Sequence, residues 1–334
     1  MRGKGINYDT GFFPGGTDSR PDFAPETARR ELRIIAEELH CTAVQISGAL
    51  PDRLEAAAQA AAEAGLEVWF APFPCEASRE ELLELLADCA RRAERIRAAG
   101  TEVVFVAGCE TSLFCPGYFD GDDTYARIET LSGGGMALWS RLGEILGKFN
   151  GYLAEAAAVV REHFHGKVTY AAGPWEFIDW TPFDFVSVDA YRAKENKDKF
   201  ADEIRGHFKH GKPVVATEFG CTTYVGAGDR GGMGWAILDT SVDPPVVKED
   251  HVRSEDEQST YFTELYDVFE AAGLDSAFWF TFATFRAVHV PDDPRRDLDL
   301  ASYGTVTMTG PDTPELNWRR KKVFHTIAER YGAS

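Results

Sequence analysis

The chain has 334 residues, 44% of them hydrophobic, which is enough for two small domains or one large barrel around a full core. Its formal net charge of −19 repels phosphate backbones, so nucleic acid is not an expected partner. The sequence has no apolar run of about 18 residues and no signal-peptide core, so it predicts no membrane span and a cytoplasmic location.

Short apolar runs alternate with helical periodicity along most of the chain. The predicted strands are Gly3–Tyr8, Thr42–Ser47, Glu67–Pro72, Glu102–Ala107, Lys167–Ala172, Phe183–Val188, Pro213–Thr217 and Ser276–Phe282. The predicted helices are Pro25–Leu39, Leu54–Ala64, Arg79–Ala99, Met136–His163, Glu195–Phe208 and Glu257–Ala272.

This alternation predicts an α/β fold, a closed (β/α)8 TIM barrel, with one domain over residues 1–334. A doubly wound open sheet is the alternative, but the glycines from Gly11 to Gly16 lack the spacing of its phosphate-binding loop. Two long connections follow the fourth and seventh predicted strands, Thr111–Gly135 and Cys221–Asp256. Long loops in a compact domain are often functional, so we expect them to form the walls or lids of a pocket.

Two glutamates directly follow predicted strands. Glu110 follows the fourth strand, and Glu218 follows the seventh. Because the carboxyl ends of barrel strands meet at one mouth, both carboxyl groups are expected there. Such a pair can cleave a glycosidic bond, one group attacking or activating water and the other protonating the leaving oxygen. The alternatives are structural: a buried Glu218 paired with an arginine, and a Glu110 that faces solvent.

The strand pattern with these glutamates resembles the clan A retaining (β/α)8 glycoside hydrolases over nearly the whole chain, most sharply at Thr217-Glu218-Phe219-Gly220. The resemblance implies that Glu218 is the nucleophile and Glu110 the acid/base of a retaining mechanism without a cofactor. It departs at Cys109, where the clan usually has an asparagine that contacts the sugar 2-hydroxyl. The segment 220–235 also resembles bacterial proteins labelled as abortive phage infection proteins.

Further side chains at predicted strand ends are expected to bind a sugar: Asn7, Tyr8, Asp9, Trp175, Glu176, Asp189, Tyr191, Trp279 and Arg286. Trp175 and Trp279 could stack on a pyranose, with Trp279 facing the barrel interior if its neighbours pack on helices. Tyr191 could hydrogen-bond the nucleophile and keep it ionised. The structural alternatives are turn capping by Asp9, pairing of Glu176 with a base, and core packing of the tryptophans.

The six cysteines contain no CxxC pair, so free and mostly buried thiols are expected. Cys109 and Cys221 lie near strand ends, which leaves a thiol- or metal-dependent hydrolase as an alternative, although no paired histidine motif supports a metal site. A non-catalytic sugar-binding barrel is the other alternative. The predicted partner is a small glycoside or an oligosaccharide, while the sugar, the linkage and the oligomeric state stay open.

Overall fold

The structure is a computed structural model that describes residues 1–242 and 244–333. The following strands occur in chain order: β1 (Gly3–Asp9), β2 (Ala43–Gly48), β3 (Glu67–Pro72), β4 (Val103–Cys109), β5 (Lys167–Ala171), β6 (Val186–Asp189), β7 (Val214–Phe219), β8 (Leu238–Asp239), β9 (Val246–Val247), β10 (Ser276–Trp279), β11 (Val306–Met308) and β12 (Trp318–Arg320). The predicted third strand, Glu67–Pro72, has the bounds that β3 has in the structure. The predicted eighth strand corresponds to β10, which ends at Trp279 and not at the predicted Phe282.

Eight of these strands form one parallel sheet in the order β5-β4-β3-β2-β1-β10-β7-β6. A parallel bridge between Ala172 and Val188 links the two outermost strands and nearly closes the ring. The predicted (β/α)8 barrel is therefore confirmed, and the open-sheet alternative is wrong. The carboxyl ends of all eight strands meet at one mouth, as in every barrel of this type.

The α-helices occur in this chain order: α1 (Pro25–Glu37), α2 (Pro51–Glu63), α3 (Arg79–Ala98), α4 (Thr111–Phe114), α5 (Thr124–Gly133), α6 (Gly135–His163), α7 (Phe200–Gly206), α8 (Glu255–Ala272) and α9 (Lys322–Gly332). Of these, α2, α3, α6 and α8 pack against strands of the barrel from outside. Proline at the first position begins α1 and α2, where its missing N–H costs nothing. Ser78 begins α3 with a capping box. Among the described residues, no helix has the length and apolar character required to cross a bilayer.

The two long connections contain structure of their own. The one after β4 forms α4 and α5, and the one after β7 contains short 3-10 turns and the β8–β9 hairpin. The chain between β5 and β6 contains no helix in the structure, since residues 173–185 are turns and irregular backbone. The segment after β10, which the sequence left unassigned, forms the β11–β12 hairpin and α9.

The barrel interior is filled with large rings below the mouth. Trp69 packs with its ring centroid 4.9 Å from that of Phe278 and 5.3 Å from that of Phe185. Gly5 makes room for Phe278, because a Cβ there would lie 2.3 Å from the Phe278 ring. This interior cluster continues up to Cys109 at the mouth. Polar groups at the mouth therefore lie on an apolar floor, where ionised groups are poorly solvated.

Candidate active site

Local irregularities in the barrel strands position the two glutamates. Along β7 the pairing with β6 passes from Val188–Ala216 to Asp189–Glu218, so β7 contains one extra residue in a bulge. Bulges re-aim side chains and are common beside active sites. Glu110 directly follows β4 with a left-handed φ of 43°, which is uncommon for a residue with a side chain and concentrates at functional sites.

Four carboxyl groups share the mouth: Glu110, Glu176, Asp189 and Glu218. Burial raises the pKa of Glu218 and the pKa of Glu176 to about 7. Burial, and after it the charges of Glu218 and Glu176, raise the pKa of Glu110 well above its usual range. Burial and the charges of Glu218 and Glu110 do the same to the pKa of Asp189. Among the described residues, the hydrogen bonds to these carboxyl groups come from hydroxyl, thiol and backbone N–H groups, and no lysine, arginine or histidine forms an ion pair with any of the four.

Tyr191 contacts the predicted nucleophile. Its hydroxyl donates a hydrogen bond of 2.8 Å to Oε2 of Glu218, as the sequence suggested. The Tyr191 ring packs edge-on against Tyr303, with centroids 6.2 Å apart. Tyr303 is itself fixed, since its hydroxyl donates to the carbonyl of Gly231 and accepts from the N–H of Gly234, both at 2.9 Å.

Cys109 lies between two of the carboxyl groups. Its Sγ is 3.6 Å from Oδ2 of Asp189 and 3.6 Å from Oε1 of Glu218. Burial, and then the charges of Asp189 and Glu218, raise the pKa of the Cys109 thiol well above its usual range. A protonated thiol in this position can donate a weak hydrogen bond to one carboxylate.

Glu176 binds protein groups instead of a base. It accepts hydrogen bonds from the Ser112 hydroxyl at 2.5 Å, the Ser112 N–H at 3.1 Å, the Tyr170 hydroxyl at 3.0 Å and the Gly173 N–H at 3.0 Å. These bonds join the turn after Glu110 to the end of β5. The alternative that Glu176 pairs with a base is therefore wrong, and the predicted sugar contact of Glu176 stays a prediction, since these bonds hold its carboxyl group against the turn that follows Glu110.

Trp175 lies beside the predicted acid/base. Its Nε1 donates to the Ser112 hydroxyl at 3.2 Å, and its side chain is only partly buried. A Cβ built on Gly173 would lie 2.7 Å from the Trp175 ring and 3.0 Å from Oε1 of Glu110. The ring and the carboxyl group thus flank the same glycine, which agrees with the predicted location of Trp175 at the mouth.

The three residues at the end of β1 do not present free side chains to the mouth. Asn7 is buried, donating to the carbonyl of Thr217 at 2.9 Å and accepting from Gln45 at 2.7 Å. Tyr8 points outward to the helices, where its hydroxyl donates to Glu31 at 2.6 Å. Asp9 accepts from the N–H of Gly11 at 2.7 Å, which is the turn-capping alternative. The predicted mouth orientation of Tyr8 is wrong, because β1 turns this side chain into the outer core.

The predicted inward orientation of Trp279 is also wrong. Phe278 fills the barrel interior, so Trp279 faces outward, with centroids 5.5 Å from Phe219 and 5.9 Å from Phe262. It is fully buried there and donates to the carbonyl of Tyr303 at 3.1 Å. Arg286 is exposed and donates to the carbonyl of Asp18 at 3.3 Å, away from the four carboxyl groups.

Sequence reasoning missed Phe280 and Tyr303. Phe280 directly follows β10, is partly exposed, and packs its ring 5.6 Å from that of Tyr303. It lies in a run of aromatic residues, and the alternation of this run does not show whether the even-numbered or the odd-numbered side chains face the barrel interior. Tyr303 carries no local signal, since it lies in a loop before β11 and reaches the mouth only through tertiary packing.

All six cysteines are free in the structure. Cys221 is buried, and among the described residues the group with metal-ligand geometry consists of Cys109, Asp189 and Glu218. This group includes Cys109 and does not include Cys221.

Comparisons with known proteins support the architecture. Neither a scan against protein-family models nor a search of curated proteins finds a match. Among solved structures, a GH113 beta-1,4-mannanase is 16% identical with a TM-score of 0.65, and 100% of each chain is covered. A GH113 beta-mannanase from Alicyclobacillus acidocaldarius is 17% identical with a TM-score of 0.60, covering 99% of this chain and 97% of that one.

A beta-glucuronidase from Bacteroides uniformis is 13% identical with a TM-score of 0.61. The alignment covers 98% of this chain but 34% of the glucuronidase, so the present chain spans about a third of that protein. At these identities the comparisons define a class by fold: a TIM barrel of the kind found in these glycoside hydrolases. No comparison supports the resemblance to abortive phage infection proteins.

Proposed function

We propose that residues 1–334 form one catalytic domain of a retaining glycoside hydrolase that acts on a small glycoside or an oligosaccharide. The observation that carries this proposal is the mutual position of Glu110 and Glu218. They follow the fourth and seventh barrel strands and share one mouth, where the charge of Glu218 adds to burial in raising the pKa of Glu110. The GH113 mannanases and the glucuronidases with the same fold support the reaction class.

In this mechanism protonated Glu110 donates its proton to the glycosidic oxygen while ionised Glu218 attacks the anomeric carbon. The bond to the leaving group breaks, and a covalent glycosyl-enzyme forms. Glu110, now ionised, removes a proton from water, which releases the sugar from Glu218 with retained configuration. The environments support this division of roles, because Tyr191 stabilises the ionised form of Glu218, whereas burial and two carboxyl groups favour the protonated form of Glu110.

The charge of the site favours a neutral sugar. A glucuronide would bring a fifth carboxyl group into a cluster where the four existing ones form no ion pair with a cation among the described residues and where carboxylate charges already raise the pKa of Glu110 and Asp189. Like charges in a poorly solvated site repel strongly. A neutral hexoside, such as the mannoside cleaved by a GH113 mannanase, avoids this repulsion, and Trp175 offers a partly exposed ring for its apolar face.

The test is a screen of aryl β-mannosides, β-glucosides and β-glucuronides with the wild-type protein and with Glu218→Ala. We expect turnover of a neutral aryl glycoside that Glu218→Ala abolishes, with added azide restoring part of it as a glycosyl azide of opposite configuration. Tyr8→Phe, a change on the outer side of β1, serves as the control that retains turnover. Sugar binding without turnover would instead support the non-catalytic barrel, and turnover that survives Glu218→Ala would contradict the assigned nucleophile.

A further inference from the structure

Cys109, Asp189 and Glu218 bring one sulfur and two oxygen atoms, each a possible metal ligand, close together. The Sγ–Oδ2 and Sγ–Oε1 separations are both 3.6 Å, and the three ligand atoms lie within 4.8 Å of one another. The three residues come from the ends of β4, β6 and β7, which are fixed by the barrel's hydrogen bonds. The arrangement is therefore preorganised rather than dependent on mobile loops.

The protein's own hydrogen bonds leave this group incompletely satisfied. A thiol has one proton, so Cys109 can donate to only one of the two carboxyl oxygens that it contacts. Asp189 is 4% exposed, and among the described residues its Oδ1 has no hydrogen-bond partner of normal geometry. Arg192, which follows Asp189 by three positions in the sequence, forms its ion pair with Glu264. An unpartnered buried carboxyl oxygen is costly, so these residues have unused capacity to bind a cation.

The distances fit a particular class of cation. Zinc binds thiolate sulfur at about 2.3 Å and carboxylate oxygen at about 2.0–2.2 Å, so two such ligands of a tetrahedral ion lie roughly 3.5 Å apart. The observed separations of 3.6 Å match this value. Magnesium and calcium prefer oxygen ligands alone, whereas a sulfur ligand selects softer ions. Tyr191 donates to Oε2 of Glu218 and thereby leaves Oε1 directed at Cys109.

We propose that Cys109, Asp189 and Glu218 form a binding site for a thiophilic divalent cation of the zinc class. On binding, the Cys109 thiol releases its proton to solvent, and the thiolate and two carboxylate oxygens take three corners of a tetrahedron, with water at the fourth. Because the ion binds Oε1 of Glu218, the carboxylate can no longer attack the anomeric carbon, and turnover is inhibited. This inhibition rests on the proposed glycosidase function, whereas the binding does not.

Binding can be measured without any substrate. The full chain, freed of metal with a chelator, is titrated with Co²⁺, and thiolate ligation is read from the sulfur-to-cobalt charge-transfer band in the near ultraviolet. Zn²⁺ titration calorimetry gives the affinity. We expect one equivalent with the thiolate band in the wild type. Cys109→Ser should abolish the band and weaken Zn²⁺ binding by more than about 100-fold, since groups that only orient a ligand already contribute about 10–100-fold.

Two further variants make the test specific. Asp189→Asn should also weaken Zn²⁺ binding, even if Cys109→Ser proves unstable in a thermal unfolding control. Cys75→Ser removes a partly exposed thiol elsewhere in the chain and should bind as the wild type does. A wild type without the thiolate band, or binding unchanged by both Cys109→Ser and Asp189→Asn, would overturn the site.

Turnover measurements then separate the two proposals. In a wild type that cleaves glycosides, stoichiometric Zn²⁺ should reduce turnover reversibly, and a chelator should restore it. Stimulation by Zn²⁺ would contradict the inhibitory role. A protein that binds the ion but cleaves no glycoside would contradict the proposed function alone, and active protein without Zn²⁺ binding would contradict the metal site alone.

Discussion

The Tyr191 hydroxyl donates a 2.8 Å hydrogen bond to Oε2 of Glu218, across the boundary between β6 and β7. Hydrogen bonds to an ionised group are stronger than those between neutral groups, so this contact favours the carboxylate over the acid. It opposes burial, which raises the pKa of Glu218 to about 7. The balance of these two effects sets the pH at which Glu218 can act as a nucleophile.

Tyr191→Phe should therefore slow turnover and move its pH dependence. Without the hydroxyl, the pKa of Glu218 rises further, so the acidic limb of kcat/KM against pH shifts to higher pH. A hydrogen bond to a charged group is worth about 1.5–3 kcal/mol, which predicts a loss of roughly 10–100-fold in kcat/KM. Tyr8→Phe is the control, because its hydroxyl binds Glu31 on the outer side of β1. An unshifted acidic limb in Tyr191→Phe would contradict the role of this bond.

Glu110→Ala should affect substrates according to their leaving groups. An aryl glycoside with an acidic phenol needs little proton donation, whereas an alkyl glycoside or oligosaccharide depends on it. General acid assistance typically contributes about 10²–10⁴-fold, and the two substrate types should differ by a factor in that range. A series of aryl glycosides with leaving groups of graded pKa measures this slope. A uniform loss across the series would exclude Glu110 as the acid.

Gly173→Ala tests the fit between Trp175 and Glu110. The added Cβ would lie 2.7 Å from the Trp175 ring and 3.0 Å from Oε1 of Glu110, so at least one of them must move. A displacement of about 1 Å at a catalytic group can cost roughly 100-fold in rate, which we expect in kcat for poor leaving groups. Gly206→Ala on α7 has open space around the new Cβ and should be neutral in activity. Wild-type kcat in Gly173→Ala would show that the position of Glu110 is not critical.

The barrel architecture and the location of the two glutamates at strand ends were predictable from the sequence, because each depends on local pattern. Glu110 and Glu218 follow apolar runs, and Tyr191 follows another, so their shared location at the mouth was accessible from barrel geometry alone. The orientation of Trp279 was not predictable. It depends on Phe278 pointing into the barrel, where Gly5 on β1, a strand far away in the sequence, leaves room for the Phe278 ring. Long-range packing therefore determines which side chains of β10 face inward.

Other features of the site have no local signature for a similar reason. The bulge that directs Glu218 is visible only as a shift in pairing between β7 and its neighbours. Tyr303 reaches Tyr191 from a loop more than a hundred residues along the chain. The hydrogen bonds from Ser112 and Tyr170 to Glu176 likewise join separate strand ends. Such contacts follow from closure of the barrel and become apparent only in three dimensions.

The buried carboxyl groups should make the protein less stable as the pH rises. The pKa of Glu218 is about 7 in the folded chain and near 4.5 in the unfolded chain, so between these values the folded state binds more protons. The free energy of unfolding therefore decreases from about pH 4.5 to about pH 7 and changes little from this group above that range. The same sign holds for Glu176, whose pKa is also raised to about 7.

Glu218→Gln should remove part of this dependence, because an amide of the same shape has no charge to bury. With a chelator present, we expect its melting temperature to exceed that of the wild type by about 1–2 °C per kcal/mol of relieved cost at pH 8 and by little at pH 4.5, since an unfolding entropy of about 2.1 cal/mol/K per residue gives this conversion for a chain of 334 residues. Glu84→Gln removes one exposed charge from α3 and controls for net charge. Thermal unfolding at both pH values gives the comparison. A gain for Glu218→Gln that is equal at pH 4.5 and pH 8, or matched by Glu84→Gln, would show that the ionised Glu218 carboxylate imposes no specific cost on the folded state.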